Sequence, residues 1–271
     1  MTRGITIFAF NNEQIDYLAM AAWSAGNIHR HLDLPVCVIT DVTDPARTAA
    51  FDQVVVTESP TVQQQRYFFD YKKNAAWHNM SRSSVYDLSP WDHTLVLDAD
   101  YVVASDQLKV LFEADQDFLA HDRAVDVSGY PPFDNNNWFG SYQLPMAWAT
   151  VMCFCRSKTA KLIFDSMQMI RNNWNHYREL YHINEETFRN DYALSIAMNI
   201  VDGHTLSMPS IPWPLMSLTS LSRLIQLGAD TYRVEYENTN TEGKTRWIQL
   251  HNQDFHAMGK RALGDIVANN S

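Results

Sequence analysis

Short apolar runs separated by a long helical pattern dominate the first hundred residues of the chain. Glu13–Leu32 carries apolar residues at helical spacing and predicts an amphipathic helix. The apolar runs are bounded by Asn, Asp, Pro or Ser, which is typical of strands; they are Ile5–Phe10, Pro35–Thr40, Val54–Thr57 and Thr94–Leu97. Because strands joined by helices favour parallel pairing, we expect an α/β fold with a Rossmann-like, mostly parallel central sheet flanked by helices. Ligands bind such sheets at the carboxyl ends of the strands.

The pattern is less regular elsewhere. Gln63–Leu88 combines an aromatic and basic segment with a predicted helix that ends before Pro90, and Tyr130–Gly140 is a loop rich in turn residues that could cover a pocket. We also predict strands at Phe118–His121 and Trp148–Cys155, helices at Lys158–Tyr181 and Asp191–Val201, and an antiparallel pair, Tyr232–Tyr236 with Thr245–Leu250, around a turn at Asn238–Gly243. No linker interrupts the chain. We expect one domain over residues 1–271, with a ligand-binding half at 1–103 and a second half at 104–271 that ends in a C-terminal elaboration.

Two carboxylates follow the strand that ends at Leu97. Asp98 and Asp100 are separated by one residue, and side chains in extended chain repeat every two residues, so both should point the same way. Carboxylates held close together repel unless a cation lies between them. The pair therefore predicts a divalent metal site, although the same residues could also bind turn amides at the strand end.

Composition and charge narrow the function classes. The net charge of −10 and the pI near 5.4 argue against a broad electrostatic contact with nucleic acid, while a local basic groove remains compatible with them. The N-terminal residues lack the apolar run of a signal peptide, and no stretch reaches the length of a membrane span. We expect a protein without a membrane span, located in the cytoplasm.

The order of these motifs resembles the GT-A glycosyltransferases: a nucleotide-binding half, a strand that runs into Asp-X-Asp, an Asn-Asp-led helix and a late His-X-X-Gly. Within that fold the chain is most similar to the retaining family of glycogenin and the bacterial lipooligosaccharide galactosyltransferases. An arginine about one helix before Asp-X-Asp carries the likeness, here Arg82, and so does His256-Ala-Met-Gly259-Lys260. The chain departs from the family where Lys260 comes early and where Ala147-Trp148-Ala149-Thr150 replaces Asn-Ala-Gly, so the donor sugar stays open.

The resemblance implies a role for each motif. A Mn²⁺ or Mg²⁺ ion would be held by Asp98, Asp100 and His256. The donor, a nucleotide diphosphate sugar and most simply a UDP-sugar, would contact Ala9, Phe10, Asn11, Asn12, Tyr17, Lys73, Arg82, Asp98, Ala99, Trp148, Gly259 and Lys260. Asp191, with Asn190 beside it, would face the anomeric carbon, either stabilising the cationic transition state or acting as the base. On this view residues 1–103 are the nucleotide-sugar-binding half and residues 104–271 the acceptor half.

Phe8–Asp16, Tyr86–Pro90 and Phe188–Ala193 also resemble glycosyltransferases encoded by tailed bacteriophages. That likeness implies an acceptor in modified DNA, a hydroxymethylated pyrimidine, and a place in the host cytoplasm. A glycan- or protein-directed transferase of the same fold and a non-catalytic nucleotide- or DNA-binding module stay open. Nucleotidyl transfer is disfavoured, because Asn11-Asn-Glu-Gln14 stands where such enzymes carry a Gly-rich loop.

Several of these side chains also have purely structural interpretations. Asp191 could cap its helix, because Asn-Asp before an apolar helix is a common capping pattern. His256 could be an ordinary core histidine. The aromatic residues of the basic segment, Tyr67, Phe68, Phe69, Tyr71 and Trp77, pack into cores more often than they stack on bases, although Arg66, Lys72 and Lys73 nearby keep DNA binding open.

Overall fold

The computed structural model describes residues 1–59, 64–78, 82–129, 137–237 and 245–270. The helices are α1 Tyr17–Leu32, α2 Pro45–Thr48, α3 Val85–Leu88, α4 Lys158–Asn172, α5 Trp174–Leu180, α6 Asn190–Val201 and α7 Lys260–Asn269. The strands are β1 Arg3–Phe8, β2 Val36–Thr40, β3 Gln53–Val56, β4 Gln65–Phe68, β5 Lys73–Ala76, β6 His93–Leu97, β7 Tyr101–Val102, β8 Phe118–His121, β9 Ala124–Val125, β10 Trp138–Phe139, β11 Leu144–Pro145, β12 Trp148–Cys155, β13 Leu215–Leu218, β14 Arg223–Gly228, β15 Thr231–Glu237, β16 Thr245–His251 and β17 Phe255–Ala257.

A six-stranded sheet with the order β3-β2-β1-β6-β12-β8 forms the centre of the molecule. Strands β3, β2, β1 and β6 are parallel, with Ile5 opposite Val36 on one side and Leu95 on the other. Strand β12 runs antiparallel to both of its neighbours. All five residues of β2 and of β6 are buried, as expected for strands covered on both faces. The predicted α/β fold with a mostly parallel central sheet flanked by helices is confirmed.

Two smaller sheets extend the fold. A four-stranded sheet with the order β7-β17-β13-β9 brings the C-terminal strand β17 beside β7, which follows β6 almost directly. The antiparallel sheet β14-β15-β16 contains the predicted pair near the C-terminus, while the turn at 238–243 lies outside the described residues. The first of these sheets matters most, because it places residue 256 opposite residue 101 and thus next to the end of β6.

The first helix begins later than predicted. It starts at Tyr17 rather than Glu13, because Asn12 Oδ1 accepts hydrogen bonds from the amides of Gln14 and Ile15 and holds these residues in a turn. Asp16 then caps the helix by accepting from the amide of Ala19 at 3.0 Å. Side-chain capping thus overrides the apolar periodicity that suggested an earlier start.

One other predicted helix was wrong in extent, and the helix predicted to end before Pro90 does so but is short. The helix predicted over Lys158–Tyr181 is interrupted at Asn173, whose backbone (φ −122°, ψ 35°) is not helical, so α4 and α5 are separate. In the 63–88 segment the only described α-helix is the short α3, preceded by a 3₁₀ turn and by the hairpin β4-β5. Tyr67 and Phe68 favour a strand at β4, where they lie opposite Asn74 and Lys73. The loop expected over 130–140 lies largely outside the described residues, and among those described no helix has the length and apolar character needed to cross a bilayer.

Candidate active site

Three potential metal ligands meet at the carboxyl end of β6. Asp98 follows the strand directly, and Asp100 lies just before β7. His256 on β17 faces both carboxylates, with Nε2 3.1 Å from Asp100 Oδ2 and 3.9 Å from Asp98 Oδ2. One ligand atom from each residue lies within 4.8 Å of the others. The structure therefore brings together the three residues that the sequence suggested as metal ligands.

Two basic side chains contact the same carboxylates. The Arg82 guanidinium contacts Asp98 Oδ1, and its other terminal nitrogen donates to the carbonyl oxygen of Ala149 at 2.6 Å. The Lys260 ammonium, at the first position of α7, contacts Asp100 Oδ2 and donates to the carbonyl oxygen of Ala257 at 3.2 Å. Burial lowers the pKa of the Lys260 ammonium, with repulsion from Arg66 adding to the effect. Both carboxylates are thus held by basic side chains.

A third carboxylate, that of Asp191, lines the same cavity from the start of α6. Asp191 is the second residue of α6, and its side chain does not cap that helix. Instead, Oδ1 accepts from the amide of Ala149 at 3.0 Å, and Oδ2 accepts from Arg189 at 2.8 Å. Although burial opposes it, the neighbouring Asp191 raises the pKa of Arg189, which therefore stays a cation. The carboxylate is held in one orientation by β12 and by its own helix N-terminus.

A single cavity joins these groups. Eleven of the predicted site residues line it: Phe10, Tyr17, Arg82, Asp98, Ala99, Asp100, Trp148, Asn190, Asp191, His256 and Lys260. Burial raises the pKa of the Tyr17 hydroxyl, which therefore stays protonated at neutral pH. Burial also lowers the pKa of the His256 imidazole, which favours the neutral form that can ligate a metal.

The other predicted donor contacts lie outside the lining of this cavity. Ala9 is fully buried, and Gly259 immediately precedes α7. The Asn11 side chain accepts a hydrogen bond from the backbone amide of Leu18 in α1. The Asn12 side chain accepts from the backbone amide of Ile15, just before α1, and its Nδ2 donates to the carbonyl oxygen of Ala76. Lys73 is exposed on the hairpin. Their roles in donor binding stay predictions.

Some residues that line the cavity were not predicted from the sequence as donor contacts. Arg66 and Trp77, on facing strands near the open end of the hairpin, line the cavity, and the guanidinium lies 4.9 Å from the centre of the indole ring. Arg189, Ser217 and Met258 also line it. Arg189 could have been noticed as the basic neighbour of Asp191. No sequence motif indicated that Ser217 belongs to the site, because only the pairing of β13 with β17 places it beside His256.

The donor set fits a divalent cation. It combines two carboxylate oxygens with one imidazole nitrogen, a mixture that suits Mn²⁺ better than Mg²⁺. Two ligand atoms that each lie about 2.1 Å from one ion are at most about 4.2 Å apart. The ligand atoms of the three residues lie within 4.8 Å of one another, so a small rotation of one side chain brings them within binding distance of one ion. Lys260 contacts the same Asp100 oxygen that faces His256, and a bound cation would compete with it for that oxygen.

No protein-family model and no curated protein sequence matches the chain. Among solved structures it is similar to the glycosyltransferase GlyE of Streptococcus pneumoniae TIGR4, with 16% identity and a TM-score of 0.46 over 78% of this chain and 45% of GlyE. The chain thus spans about half the length of GlyE. It is also similar to the galactosyltransferase LgtC, solved in complex with donor and acceptor sugar analogs, with 14% identity and a TM-score of 0.45 over 71% of this chain and 70% of LgtC.

Proposed function

We propose that the protein is a metal-dependent glycosyltransferase that moves a sugar from a nucleoside diphosphate sugar to an acceptor hydroxyl. The observation that carries this proposal is the convergence of Asp98, Asp100 and His256 in a cavity that also holds a third carboxylate, Asp191. A metal centre and an opposed carboxylate are the two parts that the transfer needs. The metal ion would bind the leaving diphosphate, and the carboxylate would stabilise the sugar or deprotonate the acceptor.

The charge in the cavity supports an anionic donor. Arg66, Arg82, Arg189 and Lys260 line it against Asp98, Asp100 and Asp191, so four basic side chains face three acidic ones. A divalent cation would add two positive charges to this set. A nucleotide diphosphate sugar carries about two negative charges and gains more on the diphosphate when the sugar leaves. The cavity is thus more complementary to the leaving group than to the intact donor.

In the reaction, the bond between the anomeric carbon and the diphosphate oxygen breaks, and the acceptor oxygen bonds to that carbon. The bound cation would act as a Lewis acid toward the departing diphosphate. Arg82 and Lys260, which contact the proposed cation ligands, would hold phosphate oxygens. Asp191 would either stabilise positive charge on the sugar, with the acceptor's proton passing to the departing diphosphate, or take that proton itself. Phe10, Tyr17 and Trp77 supply aromatic walls for the base.

The acceptor proposal follows from the hairpin beside the cavity. Tyr67 and Phe69 are 44% and 61% exposed, and their rings pack edge to face with centres 5.1 Å apart. The exposed Lys72 and Lys73 follow them. Exposed aromatic rings beside lysines suit single-stranded nucleic acid, in which bases stack and phosphates bind cations. A hydroxymethylated pyrimidine in DNA is therefore the acceptor that we propose.

The proposal is tested by thermal unfolding with a panel of nucleoside diphosphates and nucleotide sugars, with and without Mn²⁺. We expect UDP with Mn²⁺ to raise the melting temperature, slow release of sugar from a UDP-sugar in water, and loss of both in Asp100→Ala. Asp115→Ala, an exposed aspartate outside the cavity, is the matched control and should behave like the parent. A panel in which no nucleoside diphosphate stabilises the protein would refute the proposal, and binding without sugar release would indicate a non-catalytic module.

The acceptor is tested separately, with oligonucleotides that contain hydroxymethylcytosine or cytosine and with simple glycans. Transfer only to the hydroxymethylated DNA, reduced in Tyr67→Ala and Phe69→Ala, is the expected result. Transfer to a glycan alone would assign a glycan-directed enzyme of the same fold.

A further inference from the structure

The guanidinium of Arg189 connects Asp191 to side chains that are not part of the cavity wall. Its Nη2 donates to Asp191 Oδ2 at 2.8 Å, and its Nη1 lies 4.0 Å from Glu185 Oε2. Its Cζ lies 5.2 Å from the centre of the Tyr192 ring. Arg189 and Asp191 line the cavity, whereas Glu185 and Tyr192 do not. The orientation of the Asp191 carboxylate therefore depends on residues outside the cavity.

Tyr192 is itself held by contacts with the core. Its ring is nearly parallel to the Trp174 indole, with an angle of 11° and centres 6.1 Å apart, and it packs against Phe139 at 5.0 Å. Its hydroxyl donates to Glu185 Oε2 at 3.1 Å. Trp174, the first residue of α5, is 8% exposed, and its Nε1 donates to the carbonyl oxygen of Glu186 at 2.8 Å. Packing of the core thus determines where the Tyr192 ring lies.

The ring restricts the orientation of the Arg189 guanidinium. A guanidinium over an aromatic ring is stabilised by about 0.5–2 kcal/mol. The single hydrogen bond to Asp191 Oδ2 leaves the guanidinium free to rotate about it, whereas contact with the Tyr192 ring and attraction to Glu185 favour one orientation. Burial raises the pKa of Tyr192 to about 12, so the hydroxyl keeps the proton that it donates to Glu185.

The direction of the Asp191 carboxylate matters for the chemistry of the site, because a displacement of about 1 Å can reduce a rate by about 100-fold. The Ala149 amide holds Oδ1 and Arg189 holds Oδ2, so a displaced Arg189 would allow the carboxylate to turn about its bond to Ala149. We propose that Tyr192 is a positioning residue that acts through Arg189 to keep Asp191 aligned for sugar transfer. This role rests on the function proposed above for the site.

The test compares Tyr192→Leu, which removes the ring, with Tyr192→Phe, which removes only the hydroxyl. Sugar release from UDP-glucose and UDP-galactose is measured with Mn²⁺. We expect kcat to fall by about 10- to 100-fold in Tyr192→Leu. Affinity for UDP with Mn²⁺ should stay within about twofold of the parent, because the cavity lining does not include Tyr192. Tyr192→Phe should lose less than about threefold, because the ring contacts remain.

The matched control is Tyr142→Leu, which changes a tyrosine that is 63% exposed and outside the cavity lining. It should behave like the parent. A parent-like kcat in Tyr192→Leu, or a loss in Tyr192→Phe as large as that in Tyr192→Leu, would overturn the proposal. So would a fall in UDP affinity as large as the fall in kcat.

A double-mutant cycle separates positioning from a general effect on the fold. If Tyr192 acts through Asp191, Tyr192→Leu should change kcat by less than about twofold when Asp191→Asn is already present. Equal fold losses with and without Asp191→Asn would show that Tyr192 acts independently of the carboxylate, against the proposal.

A measurement without substrate covers the cases in which Tyr192→Leu does not fold or the parent is inactive. The Arg189 guanidinium should rotate slowly about its Nε–Cζ bond in ¹⁵N exchange spectra of the parent and of Tyr192→Phe, while that of Arg47, in an exposed pair with Asp16, rotates fast. Fast rotation of Arg189 in the parent would overturn the proposal. Slow rotation in a parent that releases no sugar would refute the proposed function and leave the placement of Arg189 by Tyr192 intact, so the two failures are distinguishable.

Discussion

The Arg82 guanidinium contacts the carboxylate of Asp98, sixteen residues further along the chain, and binds the start of β12 with its other terminal nitrogen. Lysine has one ammonium group and cannot make both contacts with the same geometry. Arg82→Lys should therefore reduce kcat/KM for sugar release by about 10- to 100-fold, equivalent to about 1.4–2.8 kcal/mol. Arg47→Lys changes an exposed Arg-Asp pair and is the matched control, with an expected change below about twofold. Equal effects of the two substitutions would contradict a role for Arg82 at the site.

His256 provides the only nitrogen among the three proposed ligands. Its replacement by Ala should weaken Mn²⁺ binding strongly, and more than Mg²⁺ binding, because the imidazole is the ligand that favours Mn²⁺. Calorimetric titration with each ion measures both affinities. His176→Ala, on the exposed side of α5, serves as the control. Unchanged Mn²⁺ affinity in His256→Ala would exclude the histidine as a ligand.

Asp191→Asn keeps the shape of the side chain and an acceptor for the Ala149 amide, but removes the negative charge. We expect sugar release to fall by about 100-fold or more, the usual scale for a lost acid, base or charge-stabilising group. Binding of UDP with Mn²⁺ should stay within about twofold of the parent. Asp165→Asn, which alters an exposed pair with Lys161, is the control. If nucleotide binding and turnover fell together, Asp191 would be a binding residue instead.

The stability of the protein should depend on pH through His121. Burial lowers its pKa to about 4 against an ordinary value of 6.5, while the hydrogen bond to Trp213 and the charge of Asp122 oppose the shift, so the unfolded chain takes up a proton at higher pH than the folded protein. The free energy of unfolding should thus fall as the pH drops through 6.5 and continue to fall until about pH 4. Between pH 7.5 and pH 5 this residue contributes a loss of about 2 kcal/mol.

Urea unfolding of the parent and of His121→Gln at the two pH values isolates this contribution, because other titrating groups act equally in both proteins. The parent should lose about 2 kcal/mol more than the variant. The same pH dependence in both proteins would show that His121 is not the titrating group.

Gly140 should tolerate a side chain less well than Gly129. Both have left-handed backbone conformations, with φ of +65° and +81°. A Cβ at Gly140 would collide with the carbonyl oxygen of Tyr181, whereas a Cβ at Gly129 meets nothing within 4 Å. Gly129→Ala should cost about 1 kcal/mol of backbone strain, and Gly140→Ala about 1–3 kcal/mol more. Chemical unfolding of the two variants gives this difference directly, and equal losses would contradict the collision.

The alternation of strands and helices was predictable because buried strands and an amphipathic helix leave periodic patterns. The errors in the start of α1 and in the length of α4 lie at polar residues. Asn12 and Asp16 delay the start of α1, and Asn173 divides the helix predicted over 158–181. A hydrophobic pattern contains no information on which neighbouring amide such a side chain will bind, so these boundaries had to come from the structure.

The site was predictable in part for a similar reason. Asp98 and Asp100 are close in sequence, and the late His256 was found through the resemblance, since nothing local indicates that β17 pairs with β7. Arg66 and Trp77 line the cavity because β4 and β5 pair as a hairpin beside it. Long-range pairing of short strands leaves little trace in a single sequence, so residues brought in by it were missed.

The antiparallel direction of β12 separates two parts of the molecule that can change independently. This strand begins beside the end of β6, where the Asp98 amide donates to the carbonyl oxygen of Thr150 at 3.1 Å, and then runs away from the cavity. Of the residues of this strand, Trp148, Ala149 and Thr150 line the cavity, while Val151, Met152, Cys153 and Phe154 lie in the buried core. One strand thus contributes to two properties of the molecule. A substitution at its start should alter the cavity, whereas a substitution further along should alter the stability of the central sheet.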